Sequence, residues 1–294
     1  MFGSALHRLL KKRGFTNILT VERNELDLED QAKVYDYLKK NKPDITIIAA
    51  AKVGGIQANM NSQYDFLMKN LIIQSNLIEG SRKYRIKKIV FLGSSCIYPK
   101  FSKQPIKEDY LLTGALEETN EGYSISKISG LKACEKLTEQ YGIKTLSVMP
   151  CNLYGPNDSF DLENSHVLSA LVRKFYDAKI NNKKFVTLWG DGKAKREFMH
   201  INDAAEAVLF LMNKYDSNKF INLGSGKDIS IENLATLIKD KIGFKGQIKW
   251  DTTMPNGMPQ KLLDISRLSD LGFESKISLE EGISEMIINY KNTI

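Results

Sequence analysis

Short apolar runs alternate with longer amphipathic stretches along the first half of the chain. Asn17–Val21, Asp44–Ala51, Lys88–Gly93 and Thr145–Met149 each read as a strand. A continuous apolar run, rather than strict alternation, is what a parallel strand shows when helices cover both faces of its sheet. Between and around these runs, Ser4–Arg13, Glu29–Asn41, Gln63–Tyr84 and Tyr123–Tyr141 read as helices. The repeated strand–helix order predicts an α/β fold built on a doubly wound parallel sheet with right-handed crossovers. The last third is more mixed. Helix His166–Ala178 precedes strand Phe185–Trp189, and a short strand precedes helix Asp203–Asn213. Strand Phe220–Leu223 and helices Ile231–Ile242 and Leu279–Tyr290 complete the pattern. No repeat, low-complexity tract or linker interrupts it.

Composition narrows the function classes. A chain of 294 residues with 42% hydrophobic and 26% charged residues has ample material for a packed core, which excludes a disordered chain. No apolar run approaches the roughly 18 residues of a membrane span. Residues 1–12 lack the apolar core of a signal peptide, so none is expected. The formal charge of +7 is spread over scattered bases, which reads as a solvated surface rather than a nucleic-acid stripe. The three cysteines, Cys96, Cys134 and Cys151, have neither disulfide-framework nor zinc spacing, which points to reduced thiols in a cytoplasm and to no metal.

Candidate chemistry begins with Tyr123 and Lys127, an i, i+4 pair that shares one helix face. A neighbouring ammonium is expected to lower the phenol's pKa and suit it to proton transfer. Upstream, Phe91-Leu-Gly-Ser-Ser-Cys-Ile-Tyr-Pro99 runs directly off a buried strand. Ligands of open α/β sheets sit at such carboxyl ends, so Ser94, Ser95 and Cys96 are site candidates.

Further strings add specificity: Met149-Pro-Cys-Asn-Leu-Tyr-Gly-Pro156, Leu188–His200, Ile221-Asn-Leu-Gly-Ser-Gly226, Ala49-Ala-Ala-Lys-Val-Gly-Gly-Ile56, Asn164-Ser-His-Val167 and Lys261-Leu-Leu-Asp264. Together and in this order, they resemble the extended short-chain dehydrogenase/reductases, the nucleotide-sugar epimerases and reductases, and most closely the GDP-L-fucose synthase group. The resemblance covers nearly the whole chain. It implies a Rossmann-type sheet with a smaller, mainly C-terminal domain. Residues 1–153 and 196–223 would bind the dinucleotide, and residues 154–195 and 224–294 the GDP-sugar.

The resemblance implies NADP(H)-dependent 3,5-epimerisation and 4-reduction of GDP-4-keto-6-deoxy-D-mannose. Tyr123 would be the proton donor, Lys127 the lysine on the nicotinamide ribose and Ser94 the hydrogen-bonding partner of the keto oxygen. Cys96 and His166 would be the epimerising acid–base pair. Gly3, Arg23, Leu92, Gly93, Ser94, Ser95, Lys127, Pro150, Cys151, Asn152, Leu153 and His166 would contact the cofactor, with Arg23 placed for a 2′-phosphate. Lys174, Trp189, Arg196 and Asp264 would hold the GDP part. The two long helices resemble those of a four-helix homodimer interface. The family's first strand and the first two glycines of its cofactor turn are missing from the pattern, and Gly3 stands where the last glycine would be. Two other readings remain: the same chemistry on another GDP-4-keto sugar such as a heptose, and a non-catalytic GDP-sugar-binding homologue.

Overall fold

Three of the four apolar runs in the first half become strands of one sheet. The computed structural model describes residues 1–162, 165–254 and 257–294. Along the chain, α1 (Phe2–Lys12), α2 (Gln31–Asn41), β1 (Ile45–Ile48), α3 (Ile56–Asn61), α4 (Gln63–Lys83), β2 (Lys88–Leu92), α5 (Glu121–Tyr141) and β3 (Lys144–Pro150) build the first part. Then follow β4 (Asn152–Tyr154), α6 (Val167–Ile180), β5 (Phe185–Trp189), β6 (Lys195–His200), α7 (Ile201–Lys214), β7 (Ile221–Leu223) and β8 (Asp228–Ser230). The chain continues through α8 (Ile231–Ile242), β9 (Gln247–Asp251), β10 (Gln260–Lys261), α9 (Ser266–Asp270) and α10 (Leu279–Lys291).

The main sheet has the order β1-β2-β3-β7 and is parallel throughout. Parallel pairing requires a crossover after each strand, and α4 and α5 supply the first two. A second small sheet orders β10-β6-β4 in parallel, with β8 antiparallel to β6, and β5 pairs β9. Two large apolar cores result, beside a small cluster of Leu26, Val34, Leu38 and Ile86 at α2. One gathers Phe91, Leu146, Val148 and Val208 with α1, α5 and α7, and also takes in Leu263 and Leu268. The other gathers Val172, Phe175, Leu188, Ile238 and Met286 beneath β5, α6, α8 and α10.

The expected strand Asn17–Val21 does not form. A strand is stable only when its N–H and C=O groups find a ladder. Among the described residues none is paired with this segment or with the outer edge of β1, and Leu19 is 45% exposed. The strands β4, β8, β9 and β10, and the short helices α3 and α9, were not legible from the pattern.

Helices α4 and α5 pack closely along the sheet, and Gln74 Nε2 on α4 donates to Ser126 O on α5 at 2.6 Å. At the start of α5, Gly122 N donates to Gln63 Oε1 at 3.0 Å. A Cβ at Gly122 would lie 2.5 Å from the Gln63 carbonyl oxygen, which is backbone and cannot rotate away. Gly122→Ala is therefore expected to separate the two helices and cost about 1–3 kcal/mol. Chemical denaturation would read this as a lower midpoint at unchanged slope.

Candidate active site

Strand β2 delivers the 92–96 segment to its carboxyl end. Gly93 lets this turn pass close to β3, where a Cβ would displace the Met149 thioether and crowd Val148 O at 3.2 Å. Ser94 is extended, and its Oγ accepts from Cys96 N at 3.2 Å, capping a short turn that presents the thiol. Helix α5 brings Tyr123 alongside, its ring packed edge-on against Phe66 with centroids 6.3 Å apart. Tyr123 and Ser94 both line the cavity at this end of the sheet, and the serine hydroxyl favours the ionised phenol. Strand β3 supplies the 150–153 segment, with Cys151 N donating to Leu223 O at 2.8 Å and Asn152 Nδ2 to Glu197 O at 2.8 Å.

A cavity of about 540 Å³ is lined by the 92–96 and 150–153 segments, Tyr123, His166, Lys174, Trp189 and Arg196. Both cores contribute walls. His166 is the N-cap residue of α6. The loop before it is fastened by Ser169 Oγ donating to Asp158 Oδ2 at 2.5 Å and by Arg173 Nη1 donating to Phe160 O at 3.0 Å. Lys174 Nζ lies 5.8 Å from the centre of the Trp189 ring, a cation beside an aromatic plane at the mouth of the second core.

Four expected residues stand elsewhere. Lys127 is buried behind the wall, its Nζ donating to Leu92 O at 2.9 Å. Gly3 lies within α1 with room for a Cβ, so its lack of a side chain is not demanded there; the neighbouring Met1 and Phe2 line the cavity instead. Arg23 is on the surface, 3.4 Å from Glu29, and Asp264 Oδ1 accepts from Ser266 N at 2.9 Å. Asn164 lies outside the described residues.

The electrostatics correct one expectation. Burial pushes the Tyr123 phenol well above its ordinary value, nearby Cys96 charge adds to this, and the Ser94 hydroxyl opposes it. Lys127 does not pull it down, because its ammonium is engaged with Leu92 O and lies 5.8 Å from the phenol ring centre. Burial brings Lys127 itself down to about 8. Cys96 behaves differently. Burial pushes its thiol up, but the Lys261 charge, the nearby Ser94 hydroxyl, the hydrogen bond from Lys261 and the Arg196 charge together carry it below its ordinary value. Its sulfur receives Asn120 Nδ2 at 3.3 Å and Lys261 Nζ at 3.5 Å. Burial lowers the His166 imidazole, Asp158 opposes this and Lys261 reinforces it, so the ring is held towards its neutral form. Cys134 and Cys151 are buried with thiols raised by desolvation, so they are unreactive packing groups.

With a hydroxyl pair and an acidified thiol set at the carboxyl end of a parallel sheet, the chain can be compared with known proteins. The NAD dependent epimerase/dehydratase family model matches residues 1–224. The chain belongs to that family. Within it, the chain is 49% identical over 285 residues to a GDP-L-fucose synthase of Arabidopsis thaliana, covering 97% of this chain and 88% of that one. Among solved structures, a GDP-6-OMe-4-keto-L-xylo-heptose reductase from Campylobacter jejuni matches with a TM-score of 0.95 at 34% identity, covering 99% of this chain and 95% of the other. An NADP-bound GDP-L-fucose synthetase from Naegleria fowleri matches with a TM-score of 0.90 at 26% identity over 99% and 91%. This family member is an oxidoreductase and epimerase that uses NADP(H) on a Rossmann-type sheet. Among its described residues, no helix is long and apolar enough to cross a membrane.

Proposed function

We propose that the chain converts GDP-4-keto-6-deoxy-D-mannose to GDP-L-fucose by 3,5-epimerisation and NADPH-dependent 4-reduction. The observation that carries this reading is the meeting in one cavity of the Ser94–Tyr123 hydroxyl pair with a thiol held by two donors. A plain reductase needs only the first of these.

The cavity suits the cofactor in two respects. The N-terminus of α1 opens onto it with no acidic residue in the first turn, so its free N–H groups suit a pyrophosphate. Behind the wall, Lys127 braces Leu92 O, and so the 92–96 segment on which a nicotinamide ribose would rest. When bound, NADPH supplies the hydride for C4. Ser94 and Tyr123 hold the C4 oxygen, and Tyr123 gives it a proton. Cys96 removes a proton from carbon next to the ketone, and His166 returns one from the other face. Trp189 and Lys174 offer a stacking plane and a cation for the guanosine diphosphate, and Arg196 a guanidinium for its phosphates.

The division of labour between residues 1–153 with 196–223 and residues 154–195 with 224–294 is supported by the two cores, although Leu263 and Leu268 pack with the first. A homodimer through α4 and α5 fits their exposed Tyr64, Ile125 and Tyr141. A cytoplasmic setting fits three free cysteines. Action on a GDP-4-keto heptose is the second reading, favoured by the structural match to the Campylobacter jejuni heptose reductase. The experiment is to incubate the chain with NADPH and GDP-4-keto-6-deoxy-D-mannose and to follow absorbance and product by NMR. One NADPH consumed per GDP-L-fucose formed is the expected result. No consumption, or a product that keeps the configuration at C3 and C5, overturns the reading.

A further inference from the structure

Lys261 is held in place more firmly than a surface lysine would need. Strand β10 sets it beside Arg196 of β6 in parallel register. Gln104 grips the backbone on both sides: its Nε2 donates to Gln260 O at 3.1 Å, and its Oε1 accepts from Leu262 N at 2.8 Å. Glu197 Oε2 takes Leu263 N at 2.9 Å just beyond. The side chain is 8% exposed, and Nζ ends 3.5 Å from Cys96 Sγ. Among the described residues, no carboxylate forms an ion pair with Lys261, yet a buried ammonium calls for an anion. Among the described residues, its ammonium reaches a sulfur that can become one.

We propose that Lys261 is the positioning residue that keeps Cys96 as a thiolate ready to take a proton beside the ketone, an inference that rests on the proposed role of Cys96. In that step an S–H bond forms as the C–H bond breaks, and the electron pair moves onto the ketone oxygen held by Ser94 and Tyr123. Asn120 Nδ2 supports the sulfur from the other element. The groups facing Cys96 are Lys261 from β10, Arg196 from β6 and Tyr123 from α5; His166 and Glu117, the latter paired with Lys100, line the same cavity. Burial favours neutral His166 first, and the same ammonium adds a smaller push in that direction.

The test is alkylation of the full chain by iodoacetamide without substrate, with modification of Cys96 followed by mass spectrometry across pH. Cys134 and Cys151 serve as folding sentinels because both are buried. In Lys261→Gln the midpoint should rise by about one unit, making Cys96 about tenfold slower to react near pH 7. Lys261→Arg, which keeps the cation, should restore most of the rate. In turnover, Lys261→Gln should slow solvent-deuterium exchange at C3 and C5 and recover at higher pH, with KM little changed. An unmoved midpoint in Lys261→Gln, with Cys134 and Cys151 still protected, overturns the assignment. Full exchange in Cys96→Ser would instead overturn the role of Cys96, and with it the purpose given to Lys261.

Discussion

Tyr123→Phe should lower 4-keto reduction by about 10²–10⁴-fold while leaving NADPH binding near its starting value. The substitution removes one oxygen and keeps the ring that packs on Phe66, so the helix and the cavity wall should survive. What disappears is the proton for the C4 oxygen, while Ser94 keeps its place through Cys96 N. Stopped-flow reduction and a fluorescence titration of NADPH separate the two effects. Near wild-type reduction by Tyr123→Phe would refute the assignment. The pH dependence follows from the neighbouring lysine. Lys127 is held down to about 8, so it is charged below that pH and neutral above it. The charged brace on Leu92 O, and reduction with it, should weaken as pH rises through 8, well before an exposed lysine would titrate.

Cys96→Ser should keep C4 reduction and lose deuterium incorporation at C3 and C5. A serine hydroxyl accepts the same donors from Asn120 and Lys261, so the local geometry has little reason to change. Its acidity is the difference, because no ammonium can ionise an alcohol near neutral pH as it can a thiol of ordinary pKa about 8.5. The reduced product should then be an unepimerised or partly epimerised 6-deoxy sugar. Reaction in D2O followed by NMR of the product decides it, and a fully deuterated product would remove Cys96 from the mechanism. If the residue only shaped the pocket, reduction and exchange would fall together.

Much of the site could be read from the chain because its parts are local. Tyr123 and Lys127 share a helix face by spacing alone, and the 92–96 segment follows a strand too apolar to lie elsewhere than in the core. The state of the phenol was not legible in this way. Shared face implied electrostatic help, whereas the ammonium turns to Leu92 O and burial dominates. The donors to the thiol were also hidden, since Asn120 and Lys261 lie 24 and 165 positions from Cys96 and meet it only through the tertiary fold. Strands of two or three residues, such as β8 and β10, are too short to show a period. Asn17–Val21 failed for the opposite reason: its composition suits a strand, but pairing needs a neighbour, and composition does not supply one.

That the cavity walls come from two separate cores has a consequence for how substrate is recognised. Trp189 and Lys174 belong to the β5–α6 side, while Tyr123 and Cys96 belong to the parallel sheet. A molecule that touches both acts as a brace between them, and the grip on its nucleotide fixes the reach of its sugar. Binding energy gathered far from the reacting carbons can then be spent on alignment at them. A sugar phosphate stripped of its guanosine should thus be a poor substrate in rate as well as in affinity, since nothing would hold its ring in line with Tyr123 and Cys96.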